Sequence, residues 1–327
     1  MAESNYSFSK KIKEELVSNT YSDDEKKCIL SGFIRNCGVF SFNRNEMVLS
    51  AKNENSLIIK LIYACLKEVY QLNPEIKYST LNAFGRGLVY VLEVKDKNLD
   101  VILQELEILD ENYERIPPKE FIKKDKLKPF LIGCFLANGS VNNPYSNKIT
   151  YFAEMAFSNK KDAMVIKKKL NSFQNARKME FKYILRRDKH VLYLKKSDQI
   201  SVFISFLGAV SSMFDYENAR LERDSINTMN RLNICDAANL KKSIDTGKKD
   251  LEAIDTVLKI KKLNNLDDKT KIVIQARRNN PEMNYRELAE YIVEHDKISI
   301  TKSGVVHILT KIKDMAKDIN ENIFNNA

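Results

Sequence analysis

The apolar positions of the chain follow two periods, and the order in which those periods alternate occurs twice. Residues 56–70 set Leu57, Leu61, Ala64 and Cys65 three and four apart, the spacing of an amphipathic helix. Residues 178–186 alternate instead. Met179, Phe181, Tyr183 and Leu185 share one strand face, and Lys178, Lys182 and Arg186 share the other. Along residues 1–118 these periods predict a helix ending near 37, strands near 39–43 and 46–52 and a helix over 56–70. Strands near 75–80 and 87–95 and a helix near 97–109 complete the half. Pro117-Pro118 marks a joint. The same order then returns, with a helix ending near 138, strands near 140–142 and 149–157 and a helix near 160–174. Strands near 178–186 and 190–195 and a helix near 197–207 follow.

The two helices that open the halves carry the clearest self-similarity. Leu30-Ser31-Gly32-Phe33-Ile34-Arg35-Asn36-Cys37-Gly38-Val39 matches Leu131-Ile132-Gly133-Cys134-Phe135-Leu136-Ala137-Asn138-Gly139-Ser140. Gly38 and Gly139 read as helix stops at C′. Gly32 and Gly133 lie inside the helices, where glycine costs about 1 kcal/mol against alanine. That placement calls for two helices crossing with their backbones nearly in contact.

The C-terminal third is helical. Residues 212–262 read as a connector or as part of a small bundle, with Asp236 able to cap a helix and Gly247 able to bend it. Residues 266–317 read as three helices. The first spans about 269–279. The second starts at Asn284 with Glu287 as capping-box partner, and the third is capped by Thr301. In the third, Val305, Ile308, Leu309 and Ile312 share a face, and Ser303, His307 and Thr310 lie opposite, flanked by Val306 and Lys311. This is the arithmetic of a helix-turn-helix with its last helix as reader. Asn284, Arg286, Lys302, Ser303, Val306, His307, Thr310, Lys311 and Lys313 are the candidate DNA-binding residues. Lys302, Ser303 and His307 are expected at bases or phosphates. Lys311 and Lys313, with Arg277 and Arg278, are expected at the backbone. The competing reading is a three-helix protein-interaction module.

Charge sharpens the picture in one place. The chain carries a net +10, yet residues 119–198 alone hold 19 basic against seven acidic residues. Such a clustered field suits a phosphate-rich partner. Five cysteines without a Cys-x-x-Cys spacing, and the isolated His190 and His295, point to no disulfide framework, metal or cofactor. No apolar run is long enough to span a bilayer, and residues 1–16 lack a signal-peptide core, so the expectation is a cytoplasmic, nucleoid-associated protein with no membrane insertion.

The paired windows resemble the LAGLIDADG signature of homing endonucleases, whose duplicated half-domain has this same αββαββα order. In that family each signature helix ends in an acidic residue that holds catalytic divalent metal. Here those positions are Cys37 and Asn138, a soft thiol and a neutral amide, so the catalytic pair reads as lost and the chain as no enzyme. A degenerate LAGLIDADG domain joined to a helix-turn-helix resembles the WhiA family of bacterial sporulation and cell-division regulators. The matches include Ser7-Phe8-Ser9-Lys10-Lys11-Ile12-Lys13-Glu14-Glu15-Leu16, Asn230-Arg231-Leu232-Asn233, Asp236-Ala237-Ala238-Asn239-Leu240 and Thr301-Lys302-Ser303-Gly304-Val305-Val306-His307. The resemblance implies double-stranded DNA as partner through residues 283–316, with roles in cell division, chromosome segregation and transcription control. The fold expected is α+β, a duplicated LAGLIDADG-like αββαββα domain (1–118 and 119–211), a helical linker (212–262) and an all-α helix-turn-helix domain (263–327). Lys178, Lys182 and Arg186 form a candidate secondary DNA contact. Another regulatory protein docking on the sheet is the alternative, and a residual nuclease a third.

Overall fold

A computed structural model describes residues 7–43, 46–80, 87–146, 150–172, 179–260, 263 and 266–325. The chain divides into two compact units, Met1–Arg223 and Asp224–Ala327.

The first unit opens with α1 (Phe8–Val17) and then runs the predicted order twice. The first half comprises α2 (Asp23–Cys37), β1 (Gly38–Asn43), β2 (Glu46–Asn53), α3 (Ser56–Tyr70), β3 (Glu75–Thr80), β4 (Leu88–Lys95) and α4 (Leu99–Glu105). The second comprises α5 (Lys124–Asn138), β5 (Gly139–Val141), β6 (Ala153–Phe157), α6 (Lys160–Ser172), β7 (Lys182–Arg186), β8 (Lys189–Leu194) and α7 (Ser197–Leu207). Each half builds an antiparallel four-stranded sheet, ordered β1-β2-β4-β3 and β5-β6-β8-β7. One apolar core lies beneath both sheets and includes Phe33, Leu49, Ile62, Leu92, Phe130, Phe135, Met155, Leu192 and Phe203.

The interior glycines of α2 and α5 meet as the repeat requires. A Cβ on Gly32 would stand 2.2 Å from the Phe130 carbonyl oxygen, and one on Gly133 2.2 Å from that of Ile29. Gly38 and Gly139 act differently from the expected C′ stops. Both are extended, at φ −72° and −86°, so the left-handed conformation is not their role. Their helices turn straight into β1 and β5, and a Cβ would strike Ile34 O or the Phe135 ring. Ser22 starts α2 with a complete capping box to Glu25.

A buried ion pair ties the halves a second time. Arg35 on α2 meets Asp162 on α6 at 3.1 Å, both almost wholly buried. The Arg35 guanidinium also donates to the carbonyls of Ile116 and Glu107, fixing the segment that leads to the second half.

Three boundaries differ from the pattern. The helix expected over 97–109 ends at Glu105, where Glu107 takes a positive φ of 53° and Ile108 folds back to donate to Leu103 O. The strand expected from 149 begins at Ala153. The strand expected over 178–186 pairs only from Lys182. Upstream, Glu180 N donates to the Gln199 side chain and Phe181 N to that of Asn171, so side chains replace the ladder. Met179 and Phe181 are buried as alternation predicts, but Leu185, on the same face, is 58% exposed at the outer hairpin end.

After α7 comes α8 (Val210–Ile260), one uninterrupted helix that crosses the division between the units. Its start is fastened by α1, where the Glu15 carboxylate accepts from Ser211 N at 2.7 Å and Ser212 N at 2.8 Å. Asp236 lies inside this helix and caps nothing. Gly247 does not bend it. It admits the Pro281 carbonyl, which would stand 1.9 Å from a Cβ there.

The second unit adds α9 (Asp268–Asn279), α10 (Tyr285–His295) and α11 (Lys302–Asn325). Its core joins Val273, Ile274, Leu288, Ile292, Val305, Leu309 and Ile312 to Ala253, Ile254 and Val257 from α8. The last turns of α8 therefore belong to this helical core and are more than a connector.

Replacing Gly32 or Gly133 with Ala tests the crossing. Alanine raises intrinsic helix propensity by about 1 kcal/mol, while overpacking costs about 1–3 kcal/mol or more. Net destabilisation is expected in urea unfolding. Unchanged or increased stability would refute the backbone contact.

Candidate nucleic-acid interface

The three C-terminal helices gain their geometry from local caps. Asp267 accepts from Thr270 N at the start of α9. Asn284 starts α10, its side-chain oxygen accepting from Arg286 N at 2.9 Å and Glu287 N at 3.1 Å, while the Glu287 carboxylate accepts from Asn284 N. Between α10 and α11 the chain turns with Lys297 at φ 56°, and Ile298 and Ile300 pack against the core. Thr301 then accepts from Gly304 N at 3.3 Å as α11 begins.

This start sets what α11 shows to solvent. Val305, Leu309 and Ile312 are buried. Lys302, Ser303, His307, Thr310 and Lys311 are exposed, and Val306 is half-buried at the edge. The exposed face carries two cations and no acid through Lys311, combining hydroxyl, imidazole and methyl groups that suit base edges with charges that suit phosphates.

Lys313 departs from its expected backbone role. Its ammonium lies 2.6 Å from the carboxylate of Asp250, a wholly buried residue of α8, and donates to Tyr285 OH at 3.1 Å. Arg277 is buried on the same carboxylate at 3.1 Å, donates to Met283 O at 2.6 Å and stacks over the Tyr285 ring. Both are anchors of the fold, because a buried carboxylate needs its counter-charges. Arg278 pairs with Asp255, and the exposed Arg286 pairs with Glu290 at 3.0 Å.

At the seam of the first unit, α2 and α5 end side by side in neutral groups. Asn138 Nδ2 donates to Asn36 O at 3.3 Å, and the buried Asn36 Nδ2 donates to Gly32 O. Burial pushes the Cys37 thiol up to about 11, against the cations Lys13 and Lys189. Among the described residues no group of three His, Cys, Asp or Glu side chains could hold a metal ion.

The outward faces of the two sheets differ in charge. On the first, Lys77 and Lys95 both pair with Glu93, at 2.8 and 3.0 Å. On the second, β-register sets Lys182, Arg186 and Lys189 on one face, and Glu154 is the acid among the strand residues there. Arg186 is tied to both oxygens of Glu154, at 2.8 and 2.6 Å, so it is a poorer phosphate ligand than expected. Lys182 is exposed, and Lys178 lies outside the described residues. Sequence periodicity missed Arg187, whose φ of 48° with Asp188 at 59° makes the two-residue hairpin turn. Arg186, Arg187 and Lys189 rim a shallow hollow of about 350 Å³ floored by Ala156 and Val191. The regional charge excess signalled this field, and the turn aims it.

Three family models match the chain in succession. The WhiA N-terminal LAGLIDADG-like domain matches residues 23–109, the WhiA LAGLIDADG-like domain 127–225 and the WhiA C-terminal HTH domain 229–316. A relative from Lactobacillus gasseri, named "Probable cell division protein WhiA", is 31% identical over 96% of this chain and 99% of its own length. The chain belongs to the WhiA family. A relative of the same name from Brevibacillus brevis is also 31% identical, over 96% of this chain and 98% of its own. The crystal structure of full-length DUF199/WhiA from Thermatoga maritima shares the fold, at a TM-score of 0.57, 22% identity, 96% coverage of this chain and 99% of that one. The WhiA HTH match begins at residue 229, within α8, and so takes in the turns that fill the helical core. No helix among the described residues is long and apolar enough to cross a membrane.

The Asp250 cluster carries a prediction of its own. Asp250→Ala leaves Arg277 buried without its counter-charge and is expected to destabilise the second unit by about 3–5 kcal/mol. Native-state hydrogen exchange of α9–α11 measures this. A loss below about 1 kcal/mol would show that the cluster contributes little.

Proposed function

We propose that this WhiA-family protein is a DNA-binding regulator of cell division, not a nuclease, in which the exposed start of α11 reads duplex DNA. The observation that carries this reading is the single acid-free face of Lys302, Ser303, Val306, His307, Thr310 and Lys311 on a capped helix that follows a tight turn. Asn284 and Arg286, at the start of α10, stand where the preceding helix of such a motif meets the sugar-phosphate backbone. The relatives' name supports the cell-division role, and chromosome segregation and transcription control follow from the family resemblance. Cys37 and Asn138 in place of paired carboxylates support the loss of cleavage. A cytoplasmic, nucleoid-associated location accords with that role.

The second sheet supplies an auxiliary grip. Lys182, Arg187 and Lys189 face outward on a tight hairpin, while on the first sheet Lys77 and Lys95 are paired with Glu93. Linking two sites on one chain raises affinity through effective concentration without new base contacts.

Fluorescence anisotropy with duplexes enriched by in vitro selection tests both grips on the full chain. Lys302→Glu with Lys311→Glu is expected to weaken binding to all sequences. His307→Ala is expected to cost about 1–3 kcal/mol on the selected sequence and to relax base preference. Undiminished affinity in these variants would reject α11 as the reader. Lys182→Glu with Arg187→Glu and Lys189→Glu is expected to flatten the slope of log affinity against log salt by about 0.9 per lost phosphate contact. An unchanged slope would remove the auxiliary grip and leave the reader intact.

A further inference from the structure

We propose that the cavity between α1, the β2–α3 turn and the end of α5 binds a phosphorylated, sugar-bearing small molecule of nucleotide size. The cavity measures about 760 Å³. That is far more than a lone anion needs and lies within the range of small-molecule sites, roughly 300–1,000 Å³.

Its walls are rich in hydrogen-bond donors. Lys10 and Lys13 come from α1, Lys52 from the end of β2 and Asn138 from the end of α5. Lys13 is poorly solvated, and burial lowers it to about 8 although Cys37 and Glu54 favour its charge. An ammonium so placed gains from an anion that restores its counter-charge. The 15-residue helix α3 also begins on this wall, at Ser56. Its cap, Asn55, accepts from Leu57 N through Oδ1 and so leaves the other first-turn N–H groups to the cavity side. A phosphate oxygen in the cavity at the head of α3 would meet the positive end of the helix.

The remaining lining selects the rest of the ligand. Tyr90, Leu57 and Leu88 give an apolar wall for a ring, and Glu14 and Glu54 can accept from sugar hydroxyls. Those two carboxylates also disfavour a continuous polyphosphate backbone, which separates this cavity from the cationic hairpin of the second sheet.

Calorimetric titration of the full chain, without DNA, with AMP, GMP, ribose 5-phosphate and inorganic phosphate tests the site. Saturable one-to-one binding of at least one nucleotide or sugar phosphate, tighter than inorganic phosphate, is expected. Lys13→Met and the exposed Lys52→Glu should each weaken it by about tenfold or more, a change of about 1.4 kcal/mol. Lys13→Arg should retain binding, and Lys182→Glu on the other sheet should leave it unchanged. Thermal unfolding checks that each variant is folded, and Lys52→Glu decides the matter if Lys13→Met is not. No saturable binding at millimolar ligand, equal binding of inorganic phosphate, or undiminished binding in folded Lys52→Glu would overturn the proposal. Because no DNA is present in the titration, its failure would leave the α11 reading untouched.

Discussion

Two backbones in contact at Gly32 and Gly133 are the constraint on which the first unit depends. Each glycine faces the other helix's main chain, so neither tolerates a side chain without moving its partner. The crossing is reciprocal because the sequence is duplicated, and it brings the C-terminal ends of α2 and α5 together at one seam. The strands that follow leave the seam in opposite halves, and Gly38 and Gly139 let them leave without a loop. Arg35 reinforces the joint by carrying a buried charge from α2 to Asp162 on α6 and by holding the chain that connects the halves. Packing of this kind is indifferent to what terminates the helices. The architecture can therefore persist when the chemistry at the helix ends changes.

That indifference explains the seam. Carboxylates there would repel one another unless a cation sat between them, and in this chain Cys37 and Asn138 avoid the problem. The amides of Asn36 and Asn138 instead close hydrogen bonds to backbone carbonyls, and the Lys13 side chain lies nearby. A seam relieved of metal leaves the two sheets free to diverge. The first pairs Lys77 and Lys95 with Glu93, and the second keeps an excess of cations around a tight hairpin.

Much of this was legible in the sequence because local periodicity and glycine placement are local signals. The repeated order of elements, the limits of α3 and α7, the Asn284 capping box and the buried stripe of α11 all follow from residues close together in the chain. What was not legible depends on distant partners. Lys178-to-Arg186 alternation identifies a face, but it does not reveal that Asn171 and Gln199 side chains replace the ladder before Lys182, or that Glu154 occupies Arg186. Gly247 looks like a bend until Pro281 is found against it. Lys313 looks like a free cation on a reading helix until Asp250 is found beneath it. Charge counts locate a basic region, yet only tertiary structure says which cations are spent internally.

The fate of Lys313 bears on how the reader is held. Asp250 on α8 engages Arg277 of α9, Tyr285 of α10 and Lys313 of α11, so one carboxylate joins α8, α9, α10 and α11. Apolar packing through Val305, Leu309 and Ile312 fixes the distance of α11 from its neighbours but tolerates small rotations about its axis. A charge-assisted contact is directional and does not. Lys313 lies three helical turns beyond the cap at Thr301, and these two points together fix the rotation that turns Ser303 and His307 outward. Placing the anchor in the interior, away from the exposed face, keeps the reader's orientation independent of whatever that face contacts.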